Sequence, residues 1–346
     1  MIKLESMNKN YLIYYMQTVG IILVVLGHSF YQNMFNPLVH WIYSFHMPLF
    51  FFISGYLLQY TARGPLHRLN LWGCDGFIWK KAYRLLFPYV IISTLFFIPK
   101  ICVNQLAARP VDASCQGYAN MLLLPYSNVI GSFWFLPTLF GIYMVAMAFI
   151  RLSHILLKEK EIHPLVVIAA LLAINMFIPI NKLSVLNLSG IAHFMLYFAT
   201  GFYFCRYQAE KIIEKQAWWI APLTLVLSFL CFLPEANKSM LAFNGILMTT
   251  CFGMLYEQYR LRFLHHLYGA TYTIYLLSFI PQFAVNQLLL HFVELPWQIT
   301  TLLAFVLGIY IPYYIHRAMH RYCENPLMKL LTFITGQQSF QTKTKA

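Results

Sequence analysis

The chain has 346 residues, of which 60% are hydrophobic and only 10% are charged, and its mean hydropathy is +0.62. A soluble globular domain carries about 25% charged residues. This composition therefore excludes an ordinary soluble domain and predicts a polytopic membrane protein. The formal net charge of the chain is +13.

Apolar runs long enough to cross a bilayer recur along the whole chain. A membrane-spanning helix needs roughly 17–25 residues, and the sequence predicts about ten such helices. In chain order they cover residues 11–31, 38–59, 85–104, 131–150, 163–180, 187–205, 217–233, 240–256, 270–290 and 297–316. The runs are continuous rather than alternating at period two, which disfavours a β-barrel. The predicted fold class is an all-α polytopic membrane protein.

The basic residues favour one side of this arrangement. With the N-terminus in the cytoplasm, the cytoplasmic segments hold 20 of the 24 lysines and arginines, and only Lys100, Arg109, Lys182 and Lys238 lie outside. The positive-inside rule describes such a bias, so ten helices with both termini cytoplasmic are expected, in the inner (cytoplasmic) cell membrane. This topology explains the net charge, and no nucleic-acid partner is expected, although anionic lipid headgroups attract any of these loops.

The domain organisation is expected to be simple. Residues 1–330 are predicted to form a single transmembrane domain, and 331–346 a mobile cytoplasmic tail. The first apolar run lacks a small-residue cleavage site, so it is interpreted as a retained helix. The seven cysteines are scattered without metal-site spacing, and neither a metal nor a permanently bound cofactor is expected.

Two histidines interrupt the first two apolar runs. His28 lies about 17 residues into the first helix, which rises about 1.5 Å per residue. His46 lies near the outer end of the second helix. Both histidines are therefore expected at the same depth, in the outer third of the membrane. Ionisable groups inside a membrane are functional candidates, and histidine is the usual general base for a hydroxyl. A purely structural hydrogen-bonding pair is the alternative. Pro48 is expected to unwind the second helix locally or simply to kink it.

The motifs around these histidines resemble a known family. "VGIILVVLGHS" followed by "FHMPLFFFISGY" is similar to the membrane-bound acyltransferase-3 family, particularly its fucose 4-O-acetylase-like branch. The resemblance continues with "KKAYRLLFPY" at 80–89 and "FWFLPTLF" at 133–140, and more loosely with "YTIYLLS" at 272–278. The strong matches cover the first 140 residues in family order.

The resemblance implies transfer of an acyl group, usually acetyl, from cytoplasmic acyl-CoA to a sugar hydroxyl of a surface or exported glycan. The helix-one histidine thought to be catalytic in the family falls on His28. The expected partners are therefore acyl-CoA as co-substrate, a carbohydrate acceptor and membrane lipid.

Further site residues are assigned by chemistry. Lys80, Lys81 and Arg84 cluster at the predicted cytoplasmic side, where they could bind the phosphates of acyl-CoA. The positive-inside rule explains these three basic residues equally well. His46, Ser132 and Trp134 are candidate donors to a tetrahedral oxyanion. His28 could be oriented by Asn33, Tyr31, Ser29 or His46, and the sequence does not choose among them.

The chain departs from the family pattern at two positions. The family usually carries a basic residue eleven positions before the helix-one histidine and often an acid three residues earlier, where this chain has Gln17 and Tyr14. The Gln17 side chain can donate hydrogen bonds to the acyl-CoA but carries no charge. No acidic residue falls well inside a predicted helix; Glu257 is the nearest, at an inner end.

Two other classes compete with the enzyme. A transporter or flippase for a glycan or glycolipid intermediate is the main alternative; it predicts inverted repeats with matched helix breaks, which proline and glycine do not show here. A purely structural membrane subunit would explain the topology but would leave the two histidines without a role.

Overall fold

The computed structural model describes residues 11–337, apart from residues 32, 34, 63, 103, 105–109, 158–161, 234–235 and 290–291. Every regular element in these ranges is helical. The α-helices are α1 (Tyr11–Ser29), α2 (Pro37–Tyr43), α3 (His46–Tyr60), α4 (Phe77–Cys102), α5 (Cys115–Leu123), α6 (Phe135–Leu157), α7 (Pro164–Phe177), α8 (Leu188–Arg206), α9 (Ala209–Glu214), α10 (Ala217–Ser228), α11 (Lys238–Gln258), α12 (Thr271–Leu277), α13 (Phe279–Phe283), α14 (Trp297–Arg321) and α15 (Pro326–Ile334). Short 3-10 turns lie between several of them, and a π-helical segment covers Ala284–Leu289.

The all-α polytopic fold class is confirmed. Within the described ranges, seven helical segments are long and apolar enough to cross a membrane, and two shorter apolar helices, Pro164–Phe177 and Ala217–Phe232, match the predicted fifth and seventh runs. The predicted run 270–290 is instead divided among α12, α13 and the π-helical segment. The count of ten and the cytoplasmic termini stay predictions.

Some predictions concern residues outside the described ranges. These are the basic residues at 3, 9, 63, 109, 158, 160, 343 and 345, and the part of the predicted tail from 338 onward. The beginning of that predicted tail, at 331, belongs to α15.

The chain divides into two compact units. Unit 1 comprises the described parts of Met1–Tyr60, Thr200–Gln282 and Leu295–Tyr313. Within it, α1 packs against α2, α3, α11 and α12. The glycine of α11 at position 245 lies against the ring of Phe45, which a Cβ atom there would strike. Membrane helices have no hydrophobic driving force between them, and small residues let them approach closely because they leave room for a neighbour's side chain or backbone.

Unit 2 comprises the described parts of Thr61–Ala199, Phe283–Glu294 and Tyr314–Ala346. Its α4 and α6 pack together, and the segment between them is fastened to α4 by hydrogen bonds. The Tyr89 hydroxyl donates to the carbonyls of Met121 (3.1 Å) and Leu122 (3.0 Å), and the Lys100 ammonium donates to that of Val129 (3.0 Å).

A buried amide completes this attachment. The Asn128 amide donates to the Ser93 hydroxyl (2.8 Å) and to the Met121 carbonyl (3.3 Å), while its oxygen accepts from the Ile130 amide (2.9 Å). The described part of the segment between α4 and α6 is therefore a folded, hydrogen-bonded layer that includes the helix α5.

Four exposed cysteines allow the predicted topology to be tested by chemical labelling. Cys74, Cys102, Cys115 and Cys323 are exposed and free; the predicted topology places the middle two outside and the others in the cytoplasm. A membrane-impermeant maleimide is expected to label single-cysteine variants retaining Cys102 or Cys115 in intact cells, or in spheroplasts if the cell has an outer membrane. Variants retaining Cys74 or Cys323 should react only after lysis. Labelling of Cys74 before lysis would contradict the orientation.

Candidate active site

Two imidazoles lie against one tyrosine ring in unit 1. The ring centroid of Tyr43, the last residue of α2, is 6.1 Å from that of His28 and 5.0 Å from that of His46. His28 lies in the last turn of α1 and is half-buried, whereas His46 begins α3 and is buried. The structure thus brings the two predicted histidines together around Tyr43. This tyrosine is absent from the predicted site, although its position three residues before His46 was visible in the sequence.

The close approach of Tyr43 to α1 depends on the residue before His28. A Cβ atom built on Gly27 would lie 2.6 Å from Cε1 of the Tyr43 ring. Any side chain at position 27 would therefore displace the ring. Gly27 allows the aromatic ring to lie beside the catalytic candidate.

The second membrane span is interrupted between α2 and α3. Ser44 keeps helical dihedral angles, but the amides of Ser44 and Phe45 bond to Trp41 (3.2 Å) and Ile42 (3.4 Å), three residues back rather than four. Pro48 explains the position of the break, because a proline ring clashes with the carbonyl four residues before it, here that of Ser44. The helix is therefore tightened by bonds of the 3-10 type before Pro48 rather than unwound.

This break determines the hydrogen bonding of His46. Nδ1 of His46 lies 2.9 Å from the carbonyl oxygen of Ile42. Because a carbonyl oxygen only accepts, Nδ1 carries the hydrogen, and the neutral ring presents an Nε2 lone pair. The neutral His46 is thus an acceptor at Nε2, and the predicted role as oxyanion donor would require a second proton on the ring.

A glutamine from a distant part of the chain holds the end of α1. Nε2 of the buried Gln282 donates to the Val25 carbonyl (2.7 Å) and to the Ser29 hydroxyl (3.0 Å). The Ser29 hydroxyl itself donates to Val25 (2.7 Å). Ser29, a candidate for orienting His28, is therefore engaged in stabilising the helix end. Gly308 of α14 makes room, since a Cβ atom there would lie 2.8 Å from Val25 and 3.3 Å from Gln282.

Asn33 lies in the turn that follows α1. Its amide bonds to the Phe30 carbonyl (3.3 Å), and its own carbonyl accepts from the Asn36 amide (3.1 Å). These are backbone bonds that shape the turn. A direct role of the Asn33 side chain toward His28 stays a prediction.

The opposite end of α1 carries the two departures from the family pattern. Gln17 is half-buried, and Tyr14 stacks on Tyr268 with ring centroids 5.5 Å apart. Burial, followed by the nearby Glu257 carboxylate, raises the pKa of Tyr268, so the phenol stays protonated. At about 1.5 Å per residue, Gln17 lies roughly 16 Å along α1 from His28.

The acidic residue nearest the membrane is also at this end. The Glu257 carboxylate lies 3.9 Å from the imidazole of His265, and the adjacent Tyr256 packs on Tyr15 with ring centroids 4.9 Å apart. Tyr15 is thirteen residues before His28, roughly 20 Å along α1. Glu257 is therefore too far away to orient His28.

The predicted phosphate-binding residues lie in the first turns of α4 in unit 2. This helix begins at Phe77, earlier than the predicted 85, so Lys80, Lys81 and Arg84 are helical. Lys80 is exposed, with its ammonium 4.0 Å from the Asp75 carboxylate, and Arg84 is exposed. The Lys81 ammonium lies 3.9 Å above the ring of Tyr143. Lys81 is thus engaged in a cation–π contact, which an anionic ligand would have to share.

Ser132 and Trp134 also belong to unit 2. The Trp134 indole is stacked between Tyr126 (4.9 Å) and Phe194 (5.4 Å). Burial raises the pKa of Tyr126 to about 12, so its hydroxyl stays protonated at physiological pH. Ser132 is half-buried just before Trp134. Their oxyanion roles stay predictions.

The arrangement around His28 suits acid–base chemistry. A half-exposed imidazole at a helix end can take a proton from a hydroxyl that arrives from outside the protein, and its helix is anchored by Gln282. Within the described ranges, no group of three or more histidine, cysteine or acidic side chains could hold a metal ion.

Comparison with known proteins gives a consistent result. A family model described as an acyltransferase domain matches residues 10–317. Nodulation protein NolL of Mesorhizobium japonicum is 27% identical over 332 residues, covering 84% of this chain and 81% of that protein. Nodulation protein NolL of Sinorhizobium fredii is 28% identical over 249 residues, covering 68% and 59% respectively. No solved structure matches the chain significantly.

Gln282→Leu tests the anchoring of α1. Losing both side-chain hydrogen bonds is expected to destabilise the protein by about 1–2 kcal/mol and to lower kcat for acyl transfer more than it changes KM, because His28 loses its fixed position. Thermal unfolding and steady-state kinetics would measure this. Gln258→Leu, at an exposed position in α11, is the control. Unchanged stability and kcat would contradict the anchoring role.

Pro48→Ala tests the origin of the His46 tautomer. Restoring a regular helix should let the backbone amide of His46 take the Ile42 carbonyl, so that Nδ1 loses its acceptor. ¹⁵N NMR of histidine-labelled protein, with the signal assigned by His46→Gln, should then report a mixture of tautomers. Pro88→Ala, which removes a proline inside α4, should leave the signal unchanged. A persistent Nδ1–H tautomer in Pro48→Ala would refute the explanation.

Proposed function

This chain belongs to the acyltransferase domain family and is a membrane O-acyltransferase, and we propose that it transfers an acetyl group from cytoplasmic acetyl-CoA to a sugar hydroxyl of a cell-surface or exported glycan. The observation that carries the proposal is the half-exposed His28 at the end of an anchored helix, against the ring of Tyr43. The sugar acceptor is supported by the similarity of the motifs on either side of this site to the fucose 4-O-acetylase-like branch.

In the proposed reaction His28 is the general base. Its imidazole takes the proton of the acceptor hydroxyl while the hydroxyl oxygen attacks the thioester carbonyl carbon of acetyl-CoA. The tetrahedral intermediate then collapses, the C–S bond breaks, and the CoA thiolate leaves with the proton returned by the imidazolium. Transfer is direct in this scheme, since none of the serines and cysteines that the structure describes has the setting of an activated nucleophile.

The donor to the oxyanion is assigned by hydrogen-bonding capacity. The neutral His46 presents a lone pair rather than a hydrogen at Nε2, whereas the hydroxyl of Tyr43 can donate. We therefore propose that the Tyr43 hydroxyl donates the hydrogen bond to the oxyanion, and that His46 holds the tyrosine in place. The oxyanion roles of Ser132 and Trp134 stay predictions from the sequence.

The donor substrate is expected to approach from the end of α1 opposite to His28. The predicted topology puts that end in the cytoplasm, where Gln17 can hydrogen-bond to the acyl-CoA, and Lys80, Lys81 and Arg84 are on the same predicted side. Acetyl-CoA is a co-substrate in this scheme and is not permanently bound. The protein would act in the inner cell membrane.

His28→Ala is the decisive test of this function. Wild-type protein in lipid nanodiscs, given radiolabelled acetyl-CoA and a pooled glycan extract, is expected to label a glycan, and His28→Ala should lower the rate by about 10²-fold or more because the general base is lost. The labelled product would identify the acceptor.

A matched histidine provides the control. His40 lies in α2 near the same end of the span and bonds through Nε2 to the Cys231 carbonyl (2.9 Å). His40→Gln should retain activity within about twofold, since it leaves the general base intact. Equal transfer by wild type and His28→Ala would refute the assignment of the base, and no transfer by wild type would refute the proposed substrates.

A further inference from the structure

A basic cluster in unit 2 has no role in the reaction described above. It lies where the 3-10 turn Leu66–Arg68 packs on the last turns of α6. The rings of His67 and His154 are stacked face to face, with centroids 3.7 Å apart and planes 9° apart. The distribution of basic residues predicts that this end of α6 faces the cytoplasm.

Arg151 lies one turn before His154 on the same helix. Its Nη2 donates to the carbonyl of Leu69, which fixes the guanidinium against the turn. Its Nε is buried and has no hydrogen-bond partner. Among the described residues, no carboxylate forms an ion pair with Arg151. A buried donor on a permanently charged group is costly unless an acceptor fills it.

An anion with several acceptor atoms is the kind of ligand that suits this cluster. A guanidinium presents donors in a planar fork that matches phosphate oxygens. His154, one turn away, supplies an imidazole on the same side of the helix, since residues three apart are neighbours on a helix surface. The stacked His67 ring places a second imidazole next to that of His154. A phosphate group satisfies these conditions.

We propose that Arg151 and His154, with His67 stacked against them, form a binding site for a phosphate group. Lys81 is less suited to this task, because its ammonium already lies over Tyr143, and Lys80 is partnered by Asp75. Within the proposed function, on which this source depends, the phosphate is one of those of the CoA donor. An anionic lipid headgroup offers the same chemistry, and the experiment distinguishes the two sources.

The test measures binding rather than catalysis. Full-length protein in zwitterionic phosphatidylcholine nanodiscs is titrated with CoA by calorimetry, as wild type, Arg151→Gln and His154→Gln. Loss of charge-assisted hydrogen bonds is expected to weaken CoA binding by about 10- to 100-fold in Arg151→Gln. Arg321→Gln is the matched control, since this exposed arginine ends α14 and contacts Tyr322; it should bind CoA within about twofold of wild type.

The second arm uses nanodiscs that contain phosphatidylglycerol. If the phosphate belongs to a lipid, Arg151→Gln binds CoA normally but loses the increase in Tm that the anionic lipid gives to wild type. The proposal is overturned if Arg151→Gln, folded by its elution profile, changes neither CoA binding nor this stabilisation. Should Arg151→Gln not fold, His154→Gln decides the question by the same two measurements.

These outcomes are separable from those of the proposed function. A protein that binds CoA through Arg151 but transfers no acetyl group would refute the proposed reaction and leave the phosphate site standing. A protein that transfers acetyl while Arg151→Gln and His154→Gln alter neither arm would refute the phosphate site alone.

Discussion

A carbonyl group freed inside a membrane must find a new donor, because no water is present to replace the lost hydrogen bond. The candidate site depends on this constraint. Pro48 interrupts the second span, and the Ile42 carbonyl, which accepts from the Phe45 amide at 3.4 Å, also accepts a shorter hydrogen bond from the imidazole of His46. The hydrogen bond at this helix break fixes which ring nitrogen of the buried His46 carries its hydrogen, and the ring of Tyr43 contacts both His46 and His28.

Much of the fold could be predicted because hydrophobic length is a local property. The apolar runs around His28, His46 and Trp134 were visible directly, and the helices found there begin or end within a few residues of the predictions. The start of α4 was missed because Lys80 and Lys81 are charged. Long basic side chains can pack their methylene groups along apolar surface while their amines reach the water or an aromatic face, so charge alone does not end a helix.

The site could be predicted only in part, since its supporting contacts are non-local. The pairing of His28 with His46 follows from two adjacent antiparallel spans. The bond from Gln282 to the end of α1 joins residues more than 250 positions apart, and no local pattern indicates it. Likewise the unpartnered Nε of Arg151 can be recognised only in the folded structure, where the Leu66–Arg68 turn packs on α6. Tyr43 is intermediate: its helical spacing to His46 was readable, but its position against Gly27 was not.

The attachment of the segment between α4 and α6 has a consequence for sequence change. Tyr89 and Lys100 hold that segment by its backbone carbonyls, and the buried Asn128 bonds to two main-chain groups of the segment as well as to the Ser93 hydroxyl of α4. A carbonyl is present whatever the side chain, so the residues exposed on α5 contribute little to keeping the layer in place. This surface can diverge between relatives while its scaffold persists, much as antibody loops vary on a constant framework.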